Sequence, residues 1–185
     1  MPLVTLIGYR GTGKTTVARI LAERLGTSWI DADLVLEERI GCTIAELVQS
    51  RGEPAFRDAE AELLEEMLAA PGGVLATGGG VVLREANRAQ LRERGRPVVW
   101  LDAPVDTIRR RLAADPATRE RRPALLGGDP LTEVEQVAHA RKPLYRECAD
   151  WTIDTGAAVP ADVAARIAAW IARGESRPGR EGGMP

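Results

Sequence analysis

GYRGTGKT, residues 8–15, is the stretch that decides the fold. It matches the pattern G-x-x-x-x-G-K-[ST], and it lies between an apolar run, Leu3–Ile7, and a segment of helical periodicity at 14–25. In this setting the glycines let successive N–H groups turn toward phosphate oxygens, and the helix N-terminus adds its positive dipole. Lys14 is then placed to reach the β- and γ-phosphates, and the Thr15 hydroxyl to ligate Mg²⁺. The stretch therefore predicts a nucleoside triphosphate site.

A dinucleotide-binding turn is the weaker interpretation of the same glycines. Gly8, Gly11 and Gly13 do not have the spacing G-x-G-x-x-G, and such a turn has no need of a lysine. The residues expected to contact the nucleotide in this loop are Gly11, Thr12, Gly13, Lys14, Thr15 and Thr16.

Short apolar runs alternate with helical segments along the rest of the chain, which predicts an α/β fold with a parallel sheet and helices on both faces. The strands are expected at Leu3–Ile7, Ser28–Asp31, Val74–Thr77, Pro97–Leu101 and Trp151–Asp154, and the helices near 14–25, 34–40, 43–69, 84–94, 104–114, 130–146 and 160–173. Capping-box spacing marks two helix starts, Thr43 with Glu46 and Thr132 with Glu135. We expect an exposed loop at 114–128 and a disordered tail at 174–185.

Composition excludes several classes of protein. A chain of 185 residues with 44% hydrophobic residues suits one soluble domain, and a net charge of −2 gives no reason to expect nucleic acid as a partner. No run approaches the roughly 18 apolar residues of a membrane span, and the N-terminus lacks the pattern of a signal peptide, so we expect a cytoplasmic protein. The two cysteines, Cys42 and Cys148, form neither a disulfide framework nor a metal cluster.

Two aspartates follow the second predicted strand, in the sequence WIDADL. Asp31 and Asp33 would project from the same face of an extended chain, at the edge of the sheet where ligands bind. One carboxylate would then lie near Mg²⁺ and the other would accept the proton of an attacking hydroxyl. The alternative is structural, with an Asx turn and Asp33 as the N-cap of the next helix.

Two further groups of residues suggest a small, acidic, hydroxyl-rich phosphate acceptor. Arg57 and Glu60 lie on one face of a helix, so Arg57 can bind an anion while Glu60 holds it, although a solvated surface ion pair is the alternative. The triplet Gly78–Gly80 follows the third strand, and Arg141 lies in the sequence ARKPLY. Glycines in a strand need a reason, such as the close approach of a ligand.

Together these elements resemble the shikimate kinase family over residues 3–173. The resemblance rests on the loop at 8–15, D-x-D at 31–33, F-R-x-x-E at 56–60, G-G-G at 78–80, R-P at 122–123 and R-x-P-L-Y at 141–145. It implies a single three-layer P-loop kinase domain, residues 1–173, whose five-stranded parallel sheet has the order 2-3-1-4-5. It also implies an acceptor-binding helical region at about 34–62, a lid at about 113–128, and transfer of the ATP γ-phosphate to the 3-hydroxyl of shikimate.

The resemblance also implies roles for individual residues. Shikimate would be held by Asp33, Arg57, Gly79 and Arg141, with Gly78 and Gly80 completing the backbone floor. Asp33 would orient or deprotonate the hydroxyl, Thr15 would ligate Mg²⁺, and Asp31 would help through water. Arg122 would be the catalytic lid arginine beside Lys14, with Arg119 and Arg121 as alternatives. The adenine contacts would be Arg110 and Pro160, although the sequence IRRRL leaves the arginine ambiguous by one residue.

Other interpretations stay open at this point. A gluconate kinase or nucleotide kinase shares the loop, and a non-catalytic nucleotide-binding regulatory domain belongs to a different functional class. The run VVWLDAP ends in Asp102 and looks like the strand of an ATPase, but we expect Asp102 to begin a turn instead. The partners expected are ATP and shikimate, bound to a monomer.

Overall fold

The computed structural model describes residues 1–114 and 134–174. In these residues the strands are β1 (Val4–Ile7), β2 (Trp29–Asp31), β3 (Val74–Ala76), β4 (Val98–Asp102) and β5 (Trp151–Asp154). The helices are α1 (Lys14–Leu25), α2 (Ala32–Ile40), α3 (Ile44–Ala69), α4 (Glu85–Arg94), α5 (Val105–Ala114), α6 (Val134–Cys148) and α7 (Pro160–Ala172), with a 3-10 turn at Val81–Leu83. Most of the predicted lid, 115–128, and most of the predicted tail, 175–185, lie outside the described residues.

The five strands form one parallel sheet in the order β2-β3-β1-β4-β5, which confirms the predicted topology. Strand β1 is central and every residue in it is buried, because helices cover both faces of the sheet. One apolar cluster includes Val17 of α1 and Ile167 of α7, and the other includes Leu64 of α3 and Leu91 of α4. The sheet therefore lies between two helical layers.

Helix α3 is bent at Gly52, which the predicted uninterrupted helix 43–69 did not include. Gly52 has φ +83°, a left-handed conformation that favours glycine, and Pro54 follows at the start of the second half. The predicted capping box is present, since Thr43 Oγ1 accepts the Glu46 N–H at 3.2 Å and Glu46 Oε2 accepts the Thr43 N–H at 2.7 Å. The corresponding box at Thr132 falls in residues that are not described.

The carboxyl ends of the strands meet at one edge of the sheet, as in other open α/β proteins. The P-loop, residues 8–15, follows β1, and Asp31 ends β2. The glycine triplet follows β3, Asp102 ends β4 and Thr155 follows β5. The fold thus brings the predicted donor and acceptor residues to the same edge.

Within the described ranges, no helix combines the length and apolar character that crossing a membrane requires.

Candidate active site

The P-loop is closed around its own lysine. Gly13, with φ +92°, is the N-cap of α1 and turns the chain into the helix. Lys14 Nζ donates to the carbonyl oxygens of Gly8 and Tyr9, at 2.8 and 3.1 Å, so its ammonium group lies across the loop. A side chain at Gly8 would overlap the carbonyl oxygen of Leu101 in β4. This glycine is therefore needed for the loop to pack against the sheet.

A second layer of contacts supports the P-loop from the β5 side. The Thr155 hydroxyl lies 3.0 Å from the carbonyl oxygen of Thr12. Arg111 donates through Nη1 to the carbonyl oxygen of Gly11, at 3.3 Å, and through Nη2 to that of Thr155, at 2.6 Å. The guanidinium of α5 therefore ties the P-loop to the loop after β5.

The structure distinguishes the arginines of IRRRL. Arg110 is exposed, whereas Arg111 makes the contacts with the P-loop. Sequence reasoning named Arg110, but helical spacing could have found Arg111, which follows the buried Ile108 by three residues. Pro160 is exposed at the first turn of α7, and Thr16 is exposed on α1. Arg122, with its alternatives, lies outside the described residues.

Asp31 performs two roles at the end of β2. Its Oδ1 caps α2 by accepting the N–H groups of Asp33 and Leu34, at 3.0 and 3.4 Å. Its Oδ2 accepts the Thr15 hydroxyl at 2.5 Å, which joins the first turns of α1 and α2. The helix cap considered for Asp33 is thus provided by Asp31. Asp33 itself lies in the first turn of α2. The two aspartates therefore do not project from one face of an extended chain, as the sequence analysis had predicted.

Arg57 and Glu60 are buried, which contradicts the interpretation of a solvated surface pair. Their side chains are 9% and 7% exposed, and Arg57 Nη1 donates to Glu60 Oε2 at 2.8 Å. Arg57 also donates to Glu53 through Nε and Nη2, at 3.1 and 2.9 Å. The Arg57 guanidinium lies 4.5 Å from the centre of the Phe56 ring. Four contacts therefore fix the position of this positive charge.

Electrostatics at this pair is set by burial and by the neighbouring charges. Burial lowers the pKa of Arg57, but the Glu60 and Glu53 carboxylates more than offset this, so the pKa is raised overall. Burial raises the pKa of Glu60. The Arg57 and Arg141 guanidiniums lower this pKa and the Asp33 carboxylate raises it, so the pKa is raised overall. Among the described residues, Glu60 Oε1 is buried without a hydrogen-bond partner.

The glycine triplet makes room for the charged side chains of the site. A Cβ atom at Gly78 would lie 2.6 Å from Asp33 Oδ1 and 2.7 Å from Glu60 Oε1. At Gly80 it would overlap the Arg57 guanidinium. Asp33, Arg57 and Glu60 thus come together against the backbone that follows β3. The sequence predicted a close approach to these glycines, but not that side chains of this chain would make it.

Helix α6 contributes two further side chains, Arg141 and Tyr145, to the group around the glycine triplet. Arg141 is buried, and its Nη1 donates to the carbonyl oxygen of Gly79 at 3.0 Å. The hydroxyl of Tyr145, one turn further along α6, donates to the same oxygen at 2.5 Å. Burial raises the pKa of Tyr145 well above its ordinary value, so this hydroxyl stays protonated at neutral pH. Sequence reasoning noted Tyr145 only as part of R-x-P-L-Y.

Asp102 has the turn role that the sequence predicted. Its Oδ1 accepts the N–H of Ala103 at 2.9 Å, and its Oδ2 accepts from Lys142 Nζ at 3.1 Å. Both carboxylate oxygens of Asp102 therefore accept hydrogen bonds, one from the backbone that leads to α5 and one from a side chain of α6. This arrangement favours a structural role for the residue.

Comparisons with known proteins identify the family of this chain. The model of the shikimate kinase family matches residues 10–172. The chain belongs to the shikimate kinase family. A shikimate kinase from Oleidesulfovibrio alaskensis is 46% identical over 154 residues, which are 83% of this chain and 88% of that protein.

Solved structures extend the family resemblance to three dimensions. The shikimate kinase from Acinetobacter baumannii in complex with shikimate is 37% identical, with a TM-score of 0.85 over 93% of each chain. A gluconokinase from Sinorhizobium meliloti has a TM-score of 0.54 over 92% of this chain and 91% of its own, but is only 17% identical. This second likeness shows a shared fold alone.

Proposed function

We propose that this shikimate kinase family member transfers the γ-phosphate of ATP to the 3-hydroxyl of shikimate. The observation that carries the proposal is the meeting of Arg57, Arg141 and Asp33 at the glycine triplet, on the same edge of the sheet as the P-loop. Two fixed guanidiniums suit a carboxylate, and an aspartate suits a hydroxyl. Shikimate is a small acid that carries both groups.

On the acceptor side, Arg57 and Arg141 would bind the shikimate carboxylate by charged hydrogen bonds. Arg57 is already held by Glu53 and Glu60, so little side-chain freedom is lost when the acceptor binds. Asp33 would accept a hydrogen bond from the attacking hydroxyl and take its proton as the bond to phosphorus forms. Gly78, Gly79 and Gly80 supply the backbone that lies beneath the ring.

On the donor side, phosphates would bind to the backbone N–H groups of residues 11–16 and to Lys14. We propose Arg111, in place of Arg110, as the arginine beside the nucleotide, because Arg111 contacts Gly11 and Thr155 while Arg110 is exposed. Pro160 remains the proposed partner on the other side of the adenine. Arg122 remains the proposed lid arginine.

Mg²⁺ fits the oxygen pair at Thr15 and Asp31. Mg²⁺ prefers oxygen ligands and usually takes only one or two from the protein, with the rest from water and phosphate. The Thr15 hydroxyl and Asp31 Oδ2 lie 2.5 Å apart, so both oxygens are at one place. Thr15 would ligate the ion directly and Asp31 through water, and the bound ion would neutralise phosphate charge.

The test is ADP release on addition of shikimate, compared with gluconate and with nucleoside monophosphates. We expect turnover with shikimate to exceed that with either rival by orders of magnitude. The two lysines of the chain offer a matched pair of variants. Lys14→Ala should abolish turnover, while Lys142→Ala, which removes an ion pair with Asp102 and no contact of the Lys14 ammonium group, should retain it.

Two outcomes would contradict the proposal. Faster turnover of gluconate or of a nucleotide would assign a different acceptor. ATP binding without turnover of any of them would indicate a regulatory domain. We further propose that the protein acts as a monomer, and sizing chromatography of the active protein tests this.

A further inference from the structure

The backbone from Gly78 to Leu83, which we call the acceptor loop, directs every carbonyl oxygen toward a donor. Two of these oxygens accept N–H groups three residues further along, within the loop itself, at 3.3 and 2.9 Å. The last two accept from the Arg88 guanidinium, at 3.0 and 3.3 Å. Arg88 therefore holds the C-terminal end of the acceptor loop, in addition to the hydrogen bonds within the loop itself.

The remaining two carbonyl oxygens, those of Gly79 and Val81, each accept a hydrogen bond from a neutral side chain. Gly79 accepts from the Tyr145 hydroxyl at 2.5 Å, beside its contact with Arg141, and Val81 accepts from Asn87 Nδ2 at 3.0 Å. Tyr145 and Asn87 are each only 1% exposed. They come from different helices, α6 and α4, and so fix the loop from two directions.

The glycine triplet also carries three backbone N–H groups, of which those of Gly78 and Gly80 belong to buried residues and that of Gly79 to a partly exposed one. Within residues 1–114 and 134–174, no acceptor receives the N–H groups of Gly78, Gly79 and Gly80. Because a peptide group is planar, fixing the carbonyl of Gly79 also fixes the N–H of Gly80. Glycine loses more conformational freedom on ordering than any other residue, so three in a row would otherwise sample many orientations.

We propose that Tyr145 and Asn87 are positioning residues that set the affinity for shikimate by holding the acceptor loop in its binding orientation, an inference that rests on the proposed function. Neither acts on the acceptor directly; each acts through a backbone carbonyl. The Tyr145 ring stacks on Trp100 at 5.7 Å between ring centres, so the core fixes its position without a ligand. Ordering the loop before binding reduces the entropy lost when the acceptor arrives.

Tyr145→Phe is the first variant, because it removes only the hydroxyl and keeps the stacked ring. We expect Kd and KM for shikimate to rise about 3- to 10-fold, the range that one net hydrogen bond represents. KM for ATP should stay within about 2-fold of the wild-type value, because the P-loop contacts are unchanged. Titrating each substrate separately, by calorimetry and by initial rates, measures both.

Asn87→Leu is the second variant and tests the other end of the acceptor loop. Asn87→Leu should give the same selective loss of shikimate affinity. If Tyr145→Phe does not fold, this second variant alone tests whether holding the acceptor loop sets shikimate affinity. Ile167→Val is the matched control, since Ile167 is fully buried in the opposite apolar cluster. The control should lower the melting temperature and leave both KM values unchanged.

The outcomes separate the inference from the proposed function. If the wild-type chain does not phosphorylate shikimate, the proposed function fails. If the wild type is active and the variants lose only thermal stability, or lose ATP and shikimate affinity equally, the two residues are structural and the inference is overturned. A selective loss of shikimate affinity in the variants, absent from Ile167→Val, supports it.

Discussion

Gly80→Ala should separate acceptor binding from folding. The added Cβ atom would lie 2.5 Å from Arg57 Cζ and 2.6 Å from Nη2, closer than non-bonded atoms approach. The atoms that it meets are at the far end of a side chain, so the guanidinium can move while the backbone stays in place. We therefore expect the protein to fold and Arg57 to be displaced.

The magnitude follows from the contacts that hold Arg57. Its bonds to Glu53 and Glu60 measure 2.8 to 3.1 Å, and one hydrogen bond to a charged group contributes about 1.5–3 kcal/mol. Displacing the guanidinium disturbs these bonds and its alignment with the shikimate carboxylate. A loss of that size corresponds to about a 10- to 100-fold rise in the Kd for shikimate. The Kd for ATP should be unchanged.

The assay is calorimetric titration of each substrate, together with thermal melting. Gly41→Ala is the control, because Gly41 also has positive φ, at +72°, but a Cβ atom there would meet nothing within 4 Å. It should lower the melting temperature by about 2–4 °C per kcal/mol of strain and leave shikimate affinity intact. Wild-type shikimate affinity in Gly80→Ala would refute the proposed role of Arg57.

Three further predictions test other parts of the site. Asp33→Asn should lower kcat by about 10²–10⁴-fold and spare ATP binding, whereas Asp31→Asn should raise the Mg²⁺ requirement; rescue of Asp33→Asn by excess Mg²⁺ would reverse the two assignments. Arg111→Ala should raise KM for ATP several-fold more than Arg110→Ala, and equal effects would contradict the contacts seen here. Because the pKa of Glu60 is raised in the folded state, its stabilising contribution is present below its ordinary value of 4.5 and is lost as the pH rises through the raised value. Urea unfolding of Glu60→Gln should lack this loss between acid and neutral pH, and a pH profile parallel to the wild type would show that another group titrates.

The fold was largely predictable from local sequence patterns. The P-loop fixed the first strand and helix, and β5 was predicted with its observed bounds, Trp151–Asp154. The bend in α3 was missed, although Gly52 and Pro54 both signal it, because apolar residues keep helical spacing on either side. Helical periodicity reports which face is buried, but not a change in the direction of the axis.

The sequence indicated that Asp33, Arg57 and Arg141 would gather at one edge of the sheet, but it did not indicate their contacts. Arg57 and Glu60 three residues apart could equally form an exposed pair, and the side chains pack against the glycine triplet, which lies beyond β3. For the same reason the structural alternative placed the cap of α2 at Asp33, although both aspartates are compatible with it and Asp31 provides it. Such choices depend on residues that are distant in sequence.

The triplet changes how acceptor specificity should be understood. The sequence suggested that glycines cleared space for a ligand, but at Gly78 and Gly80 the space is occupied by Asp33, Glu60 and Arg57. A larger residue at either position would displace a charged group before it touched the acceptor. The glycines therefore let charged side chains pack against a backbone whose carbonyl oxygens accept hydrogen bonds from side chains of α4 and α6. Under the proposed function, specificity for an acidic, hydroxylated acceptor would follow from the charged side chains that pack against this edge of the sheet.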